Sequence, residues 1–87
     1  MTEINETVIN QAFDAYLKAF DDLAAQEDIL EKMNSELDDY KEGSPKFAQA
    51  TKEIDEFQRT VTVYQRAFRK AALELDRVRT LVEYLAV

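Results

Sequence analysis

Along the second half of the chain, apolar residues return at alternating steps of three and four. The series runs Phe47, Ala50, Ile54, Phe57, Val61, Tyr64, Phe68, Ala71, Leu75, Val78, Val82 and Leu85, and no charge interrupts its twelve positions. A repeat averaging 3.5 residues keeps one stripe of a helix on the same side along its whole length. It predicts a single helix over about 45–86 that buries this stripe against other helices. The larger members, Phe47, Ile54, Phe57, Val61, Tyr64, Phe68, Leu75, Val78, Val82 and Leu85, are therefore the expected self-association core.

The first half follows the pattern less cleanly. Ile9, Phe13, Tyr16, Phe20, Leu23, Leu30 and Leu37 make a seam, but the same steps place Glu27 and Asn34 on it. Ala12, Ala19, Met33 and Tyr40 form a flanking row, with Leu17 and Ala24 on the other side. So broad an apolar face is what a bundle helix needs. The pattern predicts a helix over about 5–42, with Thr2, Asn5 and Thr7 as competent N-caps. Around Ala25–Asp28 it also admits a break, because Asp28 with Glu31 three residues on can cap a fresh start.

Between the halves stands Lys41-Glu42-Gly43-Ser44-Pro45. Gly43 suits the left-handed residue past a helix end, since it has no Cβ to clash. Ser44 can cap the next helix, and Pro45 fits a first turn, where its missing N–H costs nothing. A tip of residues 43–45 is short enough to fold the helices back antiparallel. Folding there places Arg66 and Arg69 opposite Asp21, Asp22 and Lys18, Arg59 near Asp28, and Arg77 near the start of the first helix.

The fold class is thus all-α, one helical-hairpin domain over residues 1–87. Two helices in contact along one seam leave Leu17, Ile29, Val63, Leu73, Leu81 and Val87 off it. A chain this small gains much by covering such residues, at roughly 1.5–3 kcal/mol for each large side chain buried. Pairing of hairpins into a four-helix bundle, as a homodimer or higher assembly, is the expectation.

Charge changes the picture in one respect. The net charge is −7, yet residues 1–42 carry 12 acids and 3 bases, while residues 59–79 carry six bases and two acids. An acidic half and a basic segment in one small protein invite pairing, within a hairpin or between copies. Arg59, Arg66, Arg69 and Arg77, with Leu73 among them, form the candidate partner surface. Overall negative charge opposes binding of nucleic acid.

Candidate chemistry is sparse. The chain has no His, Cys or Trp, which removes Ser–His and Cys–His nucleophilic pairs and the usual transition-metal ligands. Asp21-Asp22, Glu27-Asp28 and Asp38-Asp39 are neighbours, but adjacent residues of a helix point about 100° apart and do not converge on one ion. There is no Gly-rich loop to cradle a phosphate. Tyr16 and Tyr64 fall on the seams and read as core residues with the hydroxyl at the edge. The expectation is a protein that is not an enzyme and has no cofactor, metal or catalytic residue. With no apolar run of about 18 residues and an acidic, leaderless start, it is expected in the cytoplasm and not in a membrane.

From Tyr16 onward the chain resembles the YlbF/YmcA family of small helical regulators of Gram-positive bacteria. The likeness is carried by Tyr16-Leu-Lys-Ala-Phe-Asp-Asp-Leu-Ala-Ala-Gln-Glu-Asp leading into an acidic break, and by the apolar spacing from Ile29 to Leu37. Ser44-Pro45-Lys46-Phe47 is similar to a His-Pro-Asp-Tyr-like tip, with Lys52-Glu53-Ile54 following at similar spacing. Tyr64, Ala67, Leu75 and Leu81 match a closing amphipathic helix, although this chain is shorter at its start and before Pro45. The resemblance implies a regulator acting through protein–protein contacts, in competence, sporulation, biofilm control or mRNA decay. A fainter likeness is to the needle subunits of type III secretion, hairpins with a Pro-containing tip that polymerise.

Three functions follow as expectations. The first is a non-enzymatic interaction or regulatory protein that associates with itself and with another protein. The second is an acidic mimic of phage type that inhibits a nucleic-acid-binding protein by occupying its basic groove. The third is a hairpin subunit of a secretion apparatus.

Overall fold

In the computed structural model, which describes residues 2–86 and the side chains of residues 6–85, the chain is two long helices. Helix α1 spans Thr2–Leu37 and helix α2 spans Pro45–Ala86. They lie antiparallel in a hairpin measuring 64 × 13 × 13 Å. Thr2 and Asn5 as caps, and Val87 as an off-seam residue, lie outside the described side chains. Thr7 is inside α1 and not at its start.

The stripe on α2 is the contact line. Eleven of its twelve positions are buried or half-buried, and only Leu85 is exposed, at 63%. Val61 and Val78 are the two buried hydrophobic residues among those described, at 1% and 4% exposure. The residues expected to form a self-association core therefore meet α1 of their own chain first.

On α1 the contact line differs from the expected seam. The half-buried positions include Ile9, Ala12, Tyr16, Ala19, Leu23, Gln26, Leu30, Met33 and Leu37. These are themselves an unbroken series of threes and fours, one position away from the choice that mere apolarity favours. Phe13, Phe20, Glu27 and Asn34 lie beside it and are exposed. Phe68 stands between Tyr16 and Phe20, with ring centroids 5.2 and 6.0 Å away, and near that height the half-buried residue of α1 is the small Ala19. Since the seam uses Gln26 and Met33 in place of Glu27 and Asn34, nothing interrupts it. Accordingly α1 runs on through Ala25–Asp28 without a break.

α1 ends earlier than expected, at Leu37 instead of near residue 42. Past it, the amides of Asp38, Asp39 and Tyr40 donate to the carbonyls of Ser35, Glu36 and Leu37, three residues back, at 3.0–3.3 Å. No basic residue stands in the last turn of α1. Two aspartates at a helix C-terminus oppose the negative end of its dipole and favour turns over helix, so the helix tightens and stops. Gly43 then takes the left-handed conformation, φ 85°, in the connecting turn. Ser44 caps α2 as expected: its Oγ accepts from the Phe47 amide at 3.2 Å, and its carbonyl accepts the first helical bond, from Ala48, at 3.1 Å. Pro45 occupies the first turn.

Two consequences are measurable by urea unfolding. Val61→Ala, in the tightest part of the seam, is expected to lower stability by about 2 kcal/mol, whereas Leu85→Ala changes it by less than about 0.5 kcal/mol. Gly43→Ala is expected to cost about 1–2 kcal/mol, because a Cβ there meets no atom within 4 Å and the penalty is the backbone conformation alone.

Candidate interaction surfaces

A helix that commits one stripe to its partner presents three other sides to water. On α1, Phe13, Leu17, Phe20 and Ala24 follow at steps of four, three and four, which places them along one flank of the seam. Phe13 is 46% and Phe20 50% exposed, and Leu17 is exposed as well. The rings of Phe13 and Tyr16 stack at 6.5 Å, and Tyr16 and Phe20 both reach Phe68. An aromatic strip thus continues outward from the seam on the half of the hairpin away from the tip. Toward the tip the same flank turns polar, a shallow depression lined by Glu27, Glu31, Asn34, Gln58 and Gln65 around Leu30 and Val61.

The residues singled out for a partner surface are all exposed, and the structure gathers four of the five. Arg66, Arg69, Leu73 and Arg77, with Lys70 and Glu74, line a shallow depression along α2 alone. Arg59 lies further along the helix, outside it. Leu73 is 64% exposed at the centre of these cations. It stands two residues from both Ala71 and Leu75 on the seam, hence on the side of α2 opposite α1. Arg59 and Arg66 hold the same relation to their seam neighbours, so the three form one column along the outer edge.

Among the described residues, the expected charge pairing across the helices does not occur. The ion pair that forms among the described residues is Arg77 with Glu74, on one helix. Arg77 donates through Nη2 to Glu74 Oε1 at 2.6 Å and through Nε to Oε2 at 3.1 Å. The heights of the basic and acidic residues match as foreseen, but their sides do not. Asp14, Asp21 and Asp28 also stand two residues from the seam positions around them, and so face away from α2.

Among the described residues no group of three acidic side chains could hold a metal ion, and no buried side-chain nitrogen or oxygen lacks a partner. No helix there is long and apolar enough to cross a membrane. The aromatic flank of α1 was the feature that sequence reasoning misassigned, since it counted Phe13 and Phe20 as core. The signal that corrects it is the small size of Ala12 and Ala19, which suits a line where two helices approach closely. No protein-family model, curated protein or solved structure matches this chain.

The two-bond hydrogen-bonded pairing with Arg77 holds the Glu74 carboxyl below its ordinary value and the guanidinium above its own. A lowered carboxylate favours the fold above its unfolded value and loses that contribution as pH falls through the lowered one. Both groups are exposed, so the effect on stability is small. In an NMR titration, Glu74 is expected to titrate below an ordinary glutamate, and Arg77→Ala to return it to the usual range.

Proposed function

We propose that this chain is a non-enzymatic helical interaction protein that works by associating with itself and with another protein. The observation that carries this reading is the apolar strip Phe13, Leu17 and Phe20, left exposed on a hairpin with only two buried hydrophobic residues among those described. The accessible surface is 7109 Å². A compact monomer of 10.1 kDa exposes about 5,300 Å². The difference, about 1,800 Å², exceeds the roughly 800 Å² that each partner buries in a standard interface. Covering the aromatic flank against the same flank of a second hairpin turns the two-helix seam into a four-helix core. In that assembly the half-buried seam residues, Phe57, Tyr64, Phe68 and Leu75 among them, gain a second wall.

A hairpin pair of this kind displays charged faces, which suits a regulator that acts by contact. The likeness to the YlbF/YmcA regulators points the same way. We place its action in the cytoplasm.

Multi-angle light scattering at micromolar concentration is expected to return at least twice the 10.1 kDa chain mass. A single-chain mass throughout that range overturns the reading. Phe13→Gln with Phe20→Gln is expected to shift the protein to single chains with its helical dichroism retained. Leu17→Gln, on the same flank and outside the aromatic ring contacts, is expected to weaken association at least tenfold; an unchanged mass in both variants removes the flank from the interface.

A further inference from the structure

The outer edges of the hairpin carry matched charges that cannot meet within one molecule. Phe68 stands between Tyr16 and Phe20, level with position 18 of α1. Counting along antiparallel helices from there, Arg66 is level with position 20 and Arg59 with position 27. Each is within one residue, about 1.5 Å of axial rise, of an aspartate: Asp21 and Asp28 respectively. All four are exposed, and each pair is spaced by seven residues, so the periods agree as well as the heights. Yet the aspartates point outward from α1 and the arginines outward from α2, on opposite edges of the same hairpin.

We propose that hairpins associate side by side, the α2 edge of one copy (Arg59, Arg66) against the α1 edge (Asp21, Asp28) of the next, at equal height. This rests on the self-association reading above and adds a second, separate contact to it. A sideways step with no axial shift is the movement that brings each arginine to its aspartate. Further along the edges, exposed Lys32 stands two positions from the height of exposed Glu56 and adds an opposite pair. Lys18 comes level with Lys70 to within two positions and opposes it, and Leu73 in the arginine column comes within one position of Asp14, so the contact is weak. Because the two edges differ, the contact is head-to-tail: each added copy presents a fresh acidic edge and a fresh basic edge, which closes into a ring or continues as a ribbon. The aromatic flank lies on a different side of α1 and remains free to pair hairpins. Exposed ion pairs are screened by salt, whereas the aromatic contact is not.

Sedimentation velocity on the full chain separates the two contacts. At about 0.02 M salt, species larger than the dimer are expected; at about 0.5 M they fall to the dimer. Arg59→Asp with Arg66→Asp gives two acidic edges, and Asp21→Arg with Asp28→Arg gives two basic ones. Each variant alone is expected to remain a dimer at low salt with unchanged helical dichroism, and an equal mixture of the two to regain the larger species. A wild-type dimer indifferent to salt overturns the edge contact and leaves the self-association reading standing; single chains at every salt overturn both. Larger species that survive in either variant alone, or a mixture that does not restore them, also overturn it. So does a salt-indifferent dimer that heparin nevertheless shifts, since the basic edge then belongs to a polyanion.

Discussion

Everything in this molecule hangs on one seam between two helices, and on how little a single seam can enclose. Two cylinders touch along a line, so a residue on that line is covered from one side only. Full burial is reached at Val61 and Val78, short β-branched residues on the line of closest approach. Longer side chains such as Phe57, Tyr64 and Phe68 are only half covered. The seam is regular enough to align the helices over their whole length, and too thin to make a core.

That insufficiency orders the rest of the surface. Part of the apolar material that α2 cannot cover lies together on one flank of α1, as Phe13, Leu17 and Phe20, while Ile29, Val63, Leu73 and Leu81 stand exposed elsewhere. Scattered single hydrophobic residues are ordinary on any protein, whereas a strip continuous with the core is the surface that the proposed self-association would cover. The opposite edges carry charge, aspartates on α1 and, beside the exposed Leu73, arginines on α2, each column two residues off the seam. One heptad frame thus specifies three surfaces at once: the line of contact, the aromatic flank and the charged edge. A shift of the α1 frame by one position would exchange these roles, which is why its register matters so much.

Chain charge at the tip works in the same economy of means. Asp38 and Asp39 stop α1 where a cation would have prolonged it, Gly43 turns the chain, and Ser44 restarts helix with its own hydroxyl. The connecting turn carries no buried core of its own, so its geometry rests on local hydrogen bonds. The long α2 then needs no further punctuation up to Ala86. Thr51 and Thr62, which fall inside it, donate their hydroxyls to the carbonyls four residues back and so leave no polar group unsatisfied.

Sequence alone determined the all-α hairpin, the Gly43-Ser44-Pro45 turn and the α2 stripe. These depend on local properties: periodicity of apolar residues, a missing Cβ, a hydroxyl at a helix start. It also showed the heights at which acids and bases correspond, because height follows from counting residues through a turn. What only the tertiary structure decided is which side each residue takes on α1. Apolarity ranks Phe13 and Phe20 above Ala12 and Ala19, but the half-buried positions are the alanines, the smaller residues that suit a line of close helix approach. That choice removes Glu27 from the seam, keeps α1 continuous, and turns Phe20 and its neighbours into surface. It also sends Asp21 and Arg66 to opposite edges, since both stand diametrically away from a line whose position the sequence could not resolve by hydrophobicity.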